Sequence, residues 1–401
     1  FLNGLTALDA ATASVLAQYK GDLYLDGLTT LDAEAVKALA KFEEGELSLN
    51  GLTTLTPEAA KALAEFKGES LSLGGLNSLD ASTAKALANF RADGLSLNSL
   101  TSLDAENATA IAEFKGRLMR LHGLTSLDAE AAAALAEFKG DVLSLAGLTS
   151  LDAETATALA EFEGDELCLN SLTSLDPETV KALAGFRSDG LTLSGLTSLD
   201  AETAKALAEF KGESLRLSGL TSLNAETVKA LAEFKGERLR LSGLTSLDAE
   251  TAKALAEFKG ESLRLEGLTS LDAEAVNSLA KFNGQWLDLS GLTSLDAEAA
   301  KALAVLNDRG LNIDRLNAIA RSSQAARGMK GDLPKDGPSR IPKRPAQVAA
   351  APPVAAPQSG TPAWQWLLGS AFLLTALVVY LAGRRPPCRN NTPTRPPHKI
   401  A

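Results

Sequence analysis

Two histidines and two cysteines in 401 residues leave little material for most site chemistry. Neither HExxH nor a Cys/His zinc spacing occurs, and no Gly-rich phosphate loop is present. Cys168 and Cys388 do not make a disulfide framework. His122, on the outward edge of an expected strand, reads as a surface residue rather than a ligand, and His398 falls in the C-terminal tail. Basic charge is also short from Phe1 to Ala320, where 27 Lys/Arg face 48 Asp/Glu for a net −21. That balance argues against nucleic acid as a partner, because phosphate binding needs a basic field. The many carboxylates recur at one structural position per repeat, as helix capping demands, whereas a general acid/base pair is expected to break the repeat. No catalytic residue, metal site or cofactor is assigned, and an enzyme is not expected.

What the chain has instead is a twenty-four-residue beat. Residues 195–218 read GLTSLDAETAKALAEFKGESLRLS, and 243–266 differ from them only in the last residue. The second leucine of each Leu-x-Leu pair keeps time from Leu25 and Leu49 through Leu217 and Leu241 to Leu289, with Ile313 last. Only the first interval, Leu2 to Leu25, is shorter. A unit repeated in strict register buries its apolar side against its neighbours, so a stacked solenoid is expected. The unbroken register leaves no room for inserted loops or lids. The chain opens in mid-strand at Phe1-Leu2, which reads as a fragment whose true N-terminus is missing.

Within a unit the apolar period changes. Leu215-Arg216-Leu217 alternates as a short half-buried strand does, and Gly219 to Leu223 turns the chain. A helix follows, with an Asp, Thr or Asn N-cap such as Asp32, Thr56, Asp200 or Asn224. Pro57 and Pro177 stand at the first helical position, where a missing N–H costs nothing. Glutamates such as Glu202 and Glu226 suit the positive end of the helix dipole. Val36, Leu39 and Phe42 mark the inward stripe, and the Phe recurs through Phe282. Glycines such as Gly68, Gly140, Gly212 and Gly260 are expected to stop the helix in a left-handed C-cap. Units lacking that glycine carry Gly94, Gly190 or Gly310 two residues later. Ala206 and Ala208 should let neighbouring helices approach closely.

The Leu-x-Leu strand, the further leucines at fixed spacing and the single helix per unit resemble a leucine-rich repeat of an atypical, bacterial type. Members usually carry Asn or Cys a few residues after the strand, as a buried hydrogen-bond ladder; here that neighbourhood holds Leu220, Leu244 and Leu268. The resemblance implies a right-handed α/β solenoid over residues 1–320, with strands on the concave face and a protein or other macromolecule as partner.

From 321 to 401 the charge reverses, with 12 Lys/Arg against 2 Asp/Glu. Residues 321–362 lose all periodicity and read as a disordered Pro/Ala-rich linker. The one long apolar run follows: WQWLLGSAFLLTALVVYLAG lacks charge from Trp364 to Gly383 and spans roughly 30 Å as a helix, a bilayer core. A transmembrane helix is therefore expected over 363–383, with Trp364, Trp366 and Tyr380 near its ends. Five basic residues, from Arg384 to Lys399, follow it, whereas only Lys343 and Arg344 come shortly before. The positive-inside rule then makes 384–401 a cytoplasmic tail and the repeats extracytoplasmic. Cys388 becomes a lipidation candidate.

Departures from the repeat indicate where a ligand is bound. The middle residue of Leu-x-Leu is expected to face solvent. Arg216, Arg240 and Arg264 then form a ladder roughly 10 Å long, with Arg238 beside it and Trp286 adjacent. Such a ladder suits a carboxylate, sulfate or phosphate on a partner, although Glu213, Glu237, Glu261 and Glu266 lie close enough to neutralise it. The expected function is a membrane-anchored, non-enzymatic scaffold for protein or glycan recognition at a cell surface. A passive spacer or envelope element is one alternative, and a tail-anchored cytoplasmic scaffold is another.

Overall fold

The Leu-x-Leu segments do become strands. The computed structural model describes residues 1–308, apart from Arg187 and Asp296. Twelve short strands, from Leu23–Tyr24 to Trp286–Asp288, form one parallel sheet in strict sequence order. Every pairing joins equivalent positions of successive units, as in Leu215↔Leu239↔Leu263. Between strands run helices of seven or eight residues, from Ala10–Leu16 to Ala273–Leu279, and a last helix covers Ala297–Asp308. Each helix packs on the next. One unforeseen element is a two-stranded parallel sheet in the turn region, Ser270–Leu271 with Ser294–Leu295. The described chain is thus a leucine-rich-repeat-like α/β solenoid of strand–turn–helix coils. The expected linker, transmembrane helix, basic tail and Cys388 lie outside the described residues. No helix among the described residues is long and apolar enough to cross a membrane.

The capping logic holds in detail. Asp32 sits in extended backbone and accepts the Ala35 N–H at 2.7 Å. Thr56, Asp200 and Asn224 cap their helices in the same way. One coil buries Ala204, Leu207, Phe210, Leu215, Leu217 and Leu220. Phe210 and its equivalents lie just beyond the helices rather than on them. The eleven rings from Phe42 to Phe282 stack in one continuous column. Neighbouring centroids stand 5.4 to 6.3 Å apart. Each such contact contributes about 0.5–1.5 kcal/mol beyond area burial, so the column ties every coil to two neighbours.

The expected left-handed glycine C-caps are not what the glycines supply. Positive φ occurs only at Gly21 and Gly45 among the described glycines, and the helices end on residues in right-handed backbone such as Ala40 and Glu209. Close approach is the reason for glycine instead. A Cβ on Gly140 would stand 2.2 Å from the Phe138 ring and 2.6 Å from the Gly116 carbonyl of the preceding coil. Gly94 and Gly190 are not displaced helix stops either; they are the first residues of their strands.

Candidate binding face on the strands

Alternation about the buried central leucine puts the first and third residues of each strand on one face. The residue after the second leucine borders that face. Three rows result, and their chemistry changes along the sheet. The expectation that the third residue faces solvent fails over much of its length. Ser48 is 1% exposed, and Ser72, Ser96, Ser144, Cys168 and Thr192 are also buried. The reason is geometric: strands about 4.8 Å apart leave short side chains below their longer neighbours, which bond across them. Asn50 shows this, with its Nδ2 donating to Ser48 Oγ at 2.8 Å and its Oδ1 accepting from Ser72 Oγ at 2.8 Å.

The bordering row also supplies an inter-coil ladder missed by sequence reasoning, which looked for it too late in the unit. Asn3, Asp26, Asn50 and Asn98 each accept the backbone N–H of the equivalent residue one coil on, at 2.6 to 3.3 Å. The signal was available as Asn or Asp directly after Leu-x-Leu. His122 stands in the same row, half-buried, with Nε2 2.8 Å from Ser144 Oγ. Burial, helped by the nearby Arg120, pushes its pKa down to about 4, so the imidazole is neutral at physiological pH.

At the C-terminal end the structure brings the sequence-marked residues together. Arg216, Arg240 and Arg264 lie in register on adjacent strands. Arg238 shares a strand with Arg240, and Trp286 pairs in register with Ser262. Their electrostatics differ sharply. Arg216 turns back along the sheet, and its Nη1 donates to Glu166, two coils away, and to Thr192 Oγ1 at 3.1 Å. Thr192 Oγ1 in turn donates to Glu166 Oε1 at 2.8 Å. Gly190 lies beneath this contact, where a Cβ would stand 3.6 Å from both the guanidinium and the Glu166 side chain, an ordinary packing distance. Glu166 is 3% exposed, and burial lowers the pKa of Arg216 against the opposing pull of Glu166. Glu166 was not among the neutralising residues expected from sequence, because its distance along the chain hides the contact.

The other arginines are more open. Arg238 pairs with Glu213 at 2.6 Å. Arg240 pairs with Glu266 at 2.9 Å and also donates to Ser242 Oγ. Arg264 reaches Glu266 only at 4.0 Å, with 44% of its side chain exposed, and its register partner is Asp288. Trp286 is 40% exposed. Away from the first coil it is the one exposed large apolar side chain among the described residues. The arginine ladder is therefore a set of cation–carboxylate pairs rather than a bare positive stripe.

No protein-family profile and no curated protein sequence matches the chain. Solved structures resemble it in fold. A leucine-rich-repeat protein of Leptospira interrogans is 21% identical, with 76% of this chain and 98% of that one covered and a TM-score of 0.34. An internalin of Listeria monocytogenes is 16% identical over 76% and 88%, with a TM-score of 0.42. The mouse RP105/MD-1 complex contains a chain 17% identical over 82% and 69%, with a TM-score of 0.46. At these identities the likeness concerns fold and nothing finer. The described residues form a leucine-rich-repeat-like solenoid by their own strand order and register, and the strand face is where the repeat is least uniform.

Proposed function

We propose that this chain is a non-enzymatic binding scaffold that presents its strand face to a protein or glycan, anchored to a membrane through residues 363–383. The observation that carries the reading is the contrast between faces. Helix caps and inward apolar residues repeat closely, while the strand face varies from buried serines to paired arginines and an open tryptophan. A specific site needs units that differ, and this face differs most. The full chain, applied to protein and glycan arrays, should bind in a way lost from an Arg240→Ser/Arg264→Ser/Trp286→Ser variant. A helix-side Lys205→Ser/Lys229→Ser variant should bind normally. Equal binding by both variants removes the strand face from consideration.

A second reading, a passive spacer, is favoured by the near-identity of units such as 195–218 and 243–266. Deleting residues 219–242 then shortens the stack by one coil without loss of function. Under the binding reading, the same deletion removes Arg238 and Arg240 and abolishes ligand capture.

A further inference from the structure

Resting on that binding reading, we infer that the strand face around Trp286 is a saccharide site that takes a neutral pyranose oligosaccharide. Ser262 forms a small floor, with Trp286 on one side and Arg238 on the other. Two strand spacings separate these walls, about 10 Å, which fits two linked sugar rings. Arg264 and Asp288 flank the floor in register.

The choice of ligand class follows from charge. An acidic ligand needs unpaired cations, but Arg238 faces Glu213 at 2.6 Å and Arg240 faces Glu266 at 2.9 Å, and Arg264 has Glu266 at 4.0 Å and Asp288 in register beside it. A phosphate, sulfate or carboxylate would have to displace those carboxylates or lie beside them. A sugar hydroxyl both donates and accepts, so side-by-side guanidinium and carboxylate groups suit a ring of hydroxyls. The C–H face of a pyranose is apolar and matches the exposed indole, which has an apolar body and a polar edge. A protein partner fits less well. Interfaces bury about 800 Å² per side around an apolar centre, and here Trp286 stands alone among polar neighbours. The residue also departs from the three preceding positions of its row, Ser214, Arg238 and Ser262.

The test uses the full chain in detergent, with cellotetraose, chitotetraose and mannotetraose as neutral probes. Hyaluronan and heparin tetrasaccharides serve as acidic ones. Calorimetry and saturation-transfer NMR read the affinity. At least one neutral probe should bind, with at least tenfold loss in Trp286→Ser and partial retention in Trp286→Phe. Its affinity should change less than about twofold when salt rises from about 0.05 to 0.5 M. Circular dichroism of the variants confirms that the fold is kept. Binding confined to the acidic probes and weakened steeply by salt overturns the assignment in favour of an anion site. Unchanged binding by Trp286→Ser, or no saccharide binding, overturns it as well. In that last case, continued strand-face-dependent capture on a protein array leaves the binding reading standing and removes only the saccharide.

Discussion

Arg216→Ser and Arg264→Ser make the same chemical change in the same row, two coils apart, and should differ widely in effect. Arg216 holds Glu166, whose side chain is 5% exposed, and both share Thr192. Removing the guanidinium leaves a buried carboxylate without its cation. Breaking a buried pair in this way costs about 3–5 kcal/mol. The arginine keeps 24% of its side chain exposed, so solvent screening puts the expected cost at the low end, about 3 kcal/mol. Arg264 is more open and reaches its carboxylate only at 4.0 Å. Exposed pairs contribute about 0–1 kcal/mol, so its loss should be barely measurable. Urea denaturation followed by circular dichroism gives the comparison. Hydrogen exchange shows whether loosening is centred on the coils between Glu166 and Arg216, as nearest-neighbour stability requires. Adding Glu166→Gln to Arg216→Ser should restore much of the loss, because the uncompensated charge is gone. Equal costs for the two arginine variants, or no rescue by Glu166→Gln, would refute the distinction between clamp and open arginine.

Gly140→Ala should destabilise by about 1–3 kcal/mol through overpacking, since one of the two clashes is with backbone. Gly140→Asn should be no better tolerated; rescue by Asn in chemical denaturation would point instead to a left-handed cap. A pH effect follows from the helix caps. The Ser82 hydroxyl, the Thr83 N–H and the Thr83 hydroxyl hold Asp80 down to about 2, below the unfolded value near 3.9. A lowered folded pKa gives stability that is complete above about pH 4 and lost as pH falls through about 2. Asp200, held down chiefly by the Thr203 N–H, adds in the same direction. Urea midpoints at pH 5 and pH 2.5 should therefore differ more for the native chain than for Asp80→Asn, which caps without titrating. An identical drop in both would exclude the caps as its source.

Much of this molecule was legible in a single unit of the repeat. The alternation of Leu215 and Leu217 gave strands, the Asp and Asn caps gave helix starts, and the unbroken beat gave parallel pairing in sequence order. These are local or nearest-neighbour properties, and a repeat makes the neighbour known in advance. The fate of Arg216 was not legible, because it depends on Glu166 two coils away and on Thr192 between them. The burial of Ser48 and Ser72 likewise came from what their neighbours lay over them. Glycine after the helix had a plausible local reason in left-handed backbone, and a different one emerged only when Phe138 and Gly116 were placed around Gly140. By itself the sequence determined the coil and its repetition, since propensity, capping and apolar period act within one unit. Only tertiary structure decided which charges are spent on each other and which side chains stay open. Those outcomes depend on distances across the stack, which a single unit does not contain.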